Sequence, residues 1–143
     1  MCLEKANIIQ LTEDIVCYKV LYGGKHDNVF SSPYQHTDYY LGKKLKLRRN
    51  EPKMYVRCNI RETETNFIIQ GGAYHSFITK EQAKKWCKAL SSFEDRSCVV
   101  VECIIPKTCK YVYKGIFGTD NRKENSYASS EIKPIKVVYQ ALY

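Results

Sequence analysis

The sequence predicts an α+β fold: one compact domain over 1–143, mostly an antiparallel, split sheet, with one main helix at about residues 80–91. Three observations carry that expectation. Short runs rich in β-branched and aromatic residues recur between glycine and proline punctuation, one segment alone has helical periodicity with a start signal, and one late run is apolar almost throughout. A length of 143 residues is also close to the commonest size of a single folding unit.

The first run, Asp14 to Tyr22 (DIVCYKVLY), ends at Gly23-Gly24 and reads as the first core strand. Asn28 to Tyr34 (NVFSSPY) reads as a second strand cut short by Pro33, which has no N–H to give to a ladder. Lys44 to Arg49 and Met54 to Ile60 alternate well enough for half-exposed strands, and Thr65 to Gln70 is a short apolar strand closed by Gly71-Gly72. The helix begins after Thr79. Its hydroxyl can accept from the backbone three residues on, where Gln82 completes a capping box. Ala83, Trp86, Cys87 and Leu90 then share one face, so the helix is expected to pack on the sheet through Trp86. Cys98 to Ile105 (CVVVECII), closed by Pro106, reads as a central strand covered on both sides, with Glu102 as the exception. Cys109 to Phe117 holds a further strand, 118–126 reads as a charged loop, and Ile132 to Tyr139 forms the terminal strand.

Composition narrows the function classes. With 44% hydrophobic and 27% charged residues the chain has a globular balance, and no apolar run approaches the roughly 20 residues of a membrane span. MCLEKANIIQLTED does not read as a secretory leader, so the expected compartment is cytoplasmic and no membrane partner is expected. Seven cysteines cannot all pair within one chain, and most lie in apolar runs, as reduced core thiols do. No CxxC is present and the histidines lack zinc spacing, so neither a metal nor a cofactor is expected. Walker-type, dinucleotide-fingerprint, nucleophile-elbow and HExxH motifs are also absent, and the reading leans away from an enzyme.

The formal charge of +8 is local. The stretch from Leu41 to Arg61 holds eight basic residues against Glu51 and so carries +7 of it. Such a field attracts phosphate, on a polynucleotide or on a small nucleotide, although a solvated basic hairpin has the same composition. Twelve tyrosines add stacking capacity. In SSPYQHTDYYLGKK, Tyr34, Tyr39 and Tyr40 stand beside Ser31, Ser32, His36, Lys43 and Lys44, which combines rings, hydroxyls and charge in one span. GGAYHSF adds Gly71 and Gly72, whose backbone allows close approach, followed by Tyr74, His75 and Ser76 just before the capped helix. Ordinary sheet packing of the tyrosines and a simple turn at the glycines remain the alternatives.

The element order resembles the ADP-ribosyltransferase fold, a split sheet around a nicotinamide-dinucleotide cleft. DIVCYKVLY is similar to its opening strand, FSSPY to its serine-bearing strand, GGAYHSFITKEQAKKW to the stretch flanking the cleft, and YASSEIKPIKVVY to its closing strands. Lys19 stands where that family places Arg or His, and Ser126 where the catalytic Glu opens the late motif, with Glu124 and Glu131 displaced to either side. The resemblance therefore implies nucleotide binding more than group transfer. The chain also resembles small proteins of phages and of Bacteroidetes mobile elements, a likeness that implies phage–host conflict and capture of a nucleotide signal in the host cytoplasm.

The expected function is thus a non-catalytic protein that sequesters a small phosphorylated nucleotide, such as a cyclic nucleotide or an ADP-ribose derivative. Lys19, Lys43 or Lys44 would meet phosphate with the Gly71 and Gly72 amides, tyrosines 34, 39, 40 or 74 would stack, and Ser31, Ser32, His36, His75 and Ser76 would select. Two alternatives stand beside it: a transferase-like or phosphodiester-cleaving enzyme using His75, Glu124 or Glu131, and a nucleic-acid surface along 43–61. A homo-oligomer is left open.

Overall fold

The computed structural model describes residues 2–33, 37–47, 52, 54–58, 65–70, 73–117 and 124–141. Eight strands precede the helix: β1 (Cys2–Ile9), β2 (Ile15–Tyr22), β3 (Val29–Ser31), β4 (Asp38–Tyr40), β5 (Leu45–Lys46), β6 (Met54–Cys58), β7 (Thr65–Gln70) and β8 (Tyr74–Phe77). After α1 (Lys80–Glu94) come β9 (Cys98–Ile105), β10 (Val112–Phe117), β11 (Glu124–Ser129) and β12 (Glu131–Ala141). They join in one sheet of order β5-β12-β9-β2-β8-β11-β10-β1-β7-β6, with β3 and β4 hung from β2. All registered pairs are antiparallel. The molecule is a mostly β, curled sheet with one helix, so strand outweighs helix more heavily than in a typical α+β domain.

The apolar run predicted as a central strand takes that place. β9 pairs with β2 from Ile15↔Ile105 to Tyr22↔Cys98 and with β12 on its other edge. Alternation sends Cys17, Leu21, Val99, Val101, Cys103 and Ile105 into one cluster with Phe30, Tyr39 and Tyr74, and Tyr22, Cys98 and Val100 into another. That second face is covered by α1 through Ala83 and Cys87, with Trp86 and Leu90 half-buried beside them. Each large apolar side chain fully buried here stabilises the fold by about 1.5–3 kcal/mol. A third cluster, including Leu3, Ala6, Ile69 and Tyr113, lies beneath the β1 end of the sheet.

Four strands depart from the sequence reading; one is β4, whose three residues are too few to show a period and which forms by pairing with β3. β1 was not predicted, because Lys5 at φ 51° makes a bulge that shifts the register between Glu4 and Asn7 and breaks the alternation. β8 occupies the stretch read as a turn into the helix; its four residues are all buried, so no alternation marks it. β11 begins inside the expected loop 118–126, whose residues 118–123 lie outside the described ones, and its small polar side chains conceal a buried strand. The strand expected over 44–49 shortens to Leu45–Lys46. Among the described residues, no helix is long and apolar enough to cross a membrane.

Candidate functional site

The sheet parts at β2. On the edge facing away from β9, β2 meets β8 at the single registered pair Tyr18↔Phe77 and β3 at the single pair Tyr22↔Ser31. Among the described residues no ladder holds Lys19, Val20 and Leu21 on that edge. The strands therefore diverge around a cleft of about 670 Å³, open solvent at its mouth included. Lys19 and Val20 line it from β2, His75, Ser76 and Phe77 from β8, Ser126 from β11, Phe117 from β10, and Ser32 and Pro33 from the end of β3, while α1 contributes Trp86 and Leu90.

Lys19 bridges the parting. Its Nζ donates to the His75 carbonyl at 2.7 Å and sits 5.1 Å from the centre of the Tyr39 ring, a cation–π distance. The residue is buried, and among the described residues no carboxylate pairs with it. Desolvation lowers its ammonium to about 8, opposed by the neighbouring Cys103 and Cys17 thiols. Those two thiols face each other across β2 and β9, and burial pushes Cys17 up to about 12, which keeps it protonated and unreactive.

His75 contributes the most unusual chemistry. The residue is 6% exposed, and neither Nδ1 nor Nε2 has a hydrogen-bond partner. Burial, reinforced by the Lys19 charge, lowers the ring to about 3, so the imidazole is neutral and offers one donor and one acceptor. A base that weak does little proton transfer at neutral pH. The buried Ser76 hydroxyl also lacks a hydrogen bond; it lies near enough to the Cys17 thiol to counter part of that thiol's upward shift, though the contact falls short of a full hydrogen bond. Polar atoms buried without partners cost on the order of 1–3 kcal/mol each. A ligand that bonded them would recover that cost.

Beside these polar groups the lining is aromatic. Trp86 stacks on Phe77 at 6.1 Å between centroids and tilts against Phe117 at 4.8 Å, and Phe77 meets Phe117 edge-on. An apolar cleft with a few convergent polar groups is the usual form of a small-molecule site. Sequence reasoning placed Trp86 only in helix packing and missed Phe77 and Phe117. Its available signal was the single tryptophan of the chain on the buried face of the helix.

Of the fourteen residues anticipated for ligand binding, the structure gathers Lys19, Ser32, His75 and Ser76 at the cleft. Ser32 is held by its own loop, its hydroxyl accepting from the Thr37 amide at 3.1 Å. Tyr39 and Tyr74 lie in the core edge to face at 6.3 Å, Ser31 closes β3 opposite Tyr22, and Tyr40 is exposed with Lys43 over its ring at 5.2 Å. Lys44 reaches the buried Glu131 at 3.3 Å. Tyr34, His36, Gly71 and Gly72 lie outside the described residues, as do 48–51, 53 and 59–61 of the basic stretch. The start of α1 is closed by its own capping box, Gln82 N–H to Thr79 Oγ1 and Thr79 N–H to Gln82 Oε1, each at 3.2 Å.

Comparison with known proteins returned no matching family model, no matching curated protein and no matching solved structure.

Proposed function

We propose that this chain is a binding domain that captures a small nucleotide in the cleft between β2 and β8. The base enters against Trp86, Phe77 and Phe117, and its polar edge bonds His75 and Ser76; the phosphate stays toward the mouth. The observation that carries the reading is the set of partnerless buried atoms, His75 Nδ1 and Nε2 and Ser76 Oγ, beside a Lys19 ammonium that no carboxylate among the described residues neutralises. The Tyr39 hydroxyl, in the core beside Lys19, is the other buried polar atom without a partner among the described residues. Capture rather than turnover is supported by the weak basicity of His75 and by the engagement of Glu131 with Lys44, while the Glu124 side chain lies outside the described ones. The ADP-ribosyltransferase-like order of elements read from the sequence motivates the choice of a nucleotide, and a sequestering role in phage–host conflict is the biological form the proposal takes.

Thermal shift against mononucleotides, cyclic dinucleotides and ADP-ribose tests it. One class should raise the melting temperature of the native chain, since ligand at a hundredfold excess over Kd adds about 2.7 kcal/mol. Trp86→Ala should abolish the shift, and mass spectrometry should recover the ligand intact. A flat response to the whole panel would overturn the reading.

A further inference from the structure

The proposed capture mode leaves one group in the cleft with more chemistry than binding needs. Lys19 carries the only amine among the described residues that line the cleft. Among the described residues its Nζ has the His75 carbonyl as its one hydrogen-bond acceptor and the Tyr39 ring beneath it, with no carboxylate to hold it as a permanent ion pair. Amines placed against apolar walls, away from acids, are the ones that add to carbonyl groups. From this geometry we infer that Lys19 is a covalent capture residue, forming a reversible imine with a small ligand that carries a free aldehyde or ketone, such as a ring-opened ribosyl phosphate. The inference rests on the cleft being the ligand site and adds the bond that would hold the ligand.

The step needs no co-reactant. The Nζ lone pair attacks the carbonyl carbon, the resulting carbinolamine loses its hydroxyl and the remaining nitrogen proton as water, and a C=N bond replaces C=O. Hydrolysis reverses it and returns the ligand unchanged. Burial supports the reaction by bringing the ammonium to about 8, so that about a tenth of it is neutral at pH 7, whereas an ordinary surface lysine is neutral to less than one part in a thousand.

Pyridoxal 5′-phosphate is a suitable probe, because it joins an aldehyde to a heteroaromatic ring and a phosphate. The native chain is incubated with it at pH 7 and substoichiometric to equimolar ratio, reduced with borohydride, and mapped by peptide mass spectrometry. The expected result is one dominant adduct, on Lys19, forming on the order of tenfold or more faster than adducts on any other lysine. Lys19→Arg, checked for folding by circular dichroism, should lose that adduct while the background labelling of other lysines persists. Pyridoxine 5′-phosphate, which has an alcohol in place of the aldehyde, separates the two readings. If it shifts the melting temperature while the aldehyde leaves Lys19 unmodified, the cleft binds ligands and the imine is wrong. Labelling spread over surface lysines without preference for Lys19 overturns the inference whatever pyridoxine 5′-phosphate does.

Discussion

At the scale of single residues, the cleft holds buried polar atoms that cost stability. His75 holds two ring nitrogens out of water with no partner for either. Replacing it by Leu, of similar volume, removes the uncompensated polar atoms, so urea denaturation at pH 7 should show His75→Leu more stable by about 1 kcal/mol, while ligand capture is lost. The same residue sets an acid limit. Its folded value of about 3 lies below the ordinary 6.5, so between those two the unfolded chain binds a proton that the folded chain does not. The stability is complete above pH 6.5 and declines as pH falls toward 3; the denaturation midpoint of the native chain should fall through this window, and that of His75→Leu should fall less. Lys19 acts in the opposite range. Its folded value of about 8 lies below 10.5, so stability should rise with pH between them as the buried charge is relieved.

At the scale of elements, the parts legible in the sequence are those whose signal is local. The capping box of α1 is an example: Thr79 and Gln82 were readable from spacing alone and meet in both directions at 3.2 Å. Thr79→Ala should cost about 1 kcal/mol in chemical denaturation. Because α1 supports Trp86 and Leu90, the same variant should weaken ligand capture without touching the cleft. β9 was legible for the same reason, since eight nearly continuous apolar residues admit few other placements. Elements defined by their partners were not. β1 breaks its own alternation at the Lys5 bulge, and its approach to β10 is fixed by a residue more than a hundred positions away. At Gly115 a Cβ would lie 2.6 Å from the Glu4 carbonyl oxygen and 2.8 Å from Leu3 Cγ. Gly115→Ala should therefore force β1 and β10 apart at a cost of about 1–3 kcal/mol in equilibrium unfolding. The site followed the same division. Ser32, His75 and Ser76 were singled out by residue type and Lys19 through the resemblance, whereas Phe77, Trp86 and Phe117 become one wall only once β8, α1 and β10 pack together.

At the scale of the whole molecule, the question is which positive charge does the recognising. The chain carries +8, most of it between Leu41 and Arg61; of the described lysines there, Lys43 lies over Tyr40, Lys44 pairs with Glu131 and Lys46 is exposed, while among the described residues Lys19 is the one lysine lining the cleft. The proposed cleft and the basic stretch thus belong to different parts of the chain, and ionic strength separates the two readings. A polynucleotide bound along the basic stretch through six to ten phosphates would lose about 10³–10⁵ in affinity between 50 and 200 mM salt. A nucleotide held in the cleft by stacking, neutral hydrogen bonds and one cation should lose only about three- to fourfold over that range, as one released counterion requires. Isothermal titration of the ligand found by thermal shift, repeated at four salt concentrations, measures the slope. Trp86→Ala should abolish the shallow component, and Lys43→Glu should leave it unchanged. A steep slope insensitive to Trp86→Ala would move the function from the cleft to the basic stretch, and with it the meaning of the partnerless atoms at His75 and Ser76.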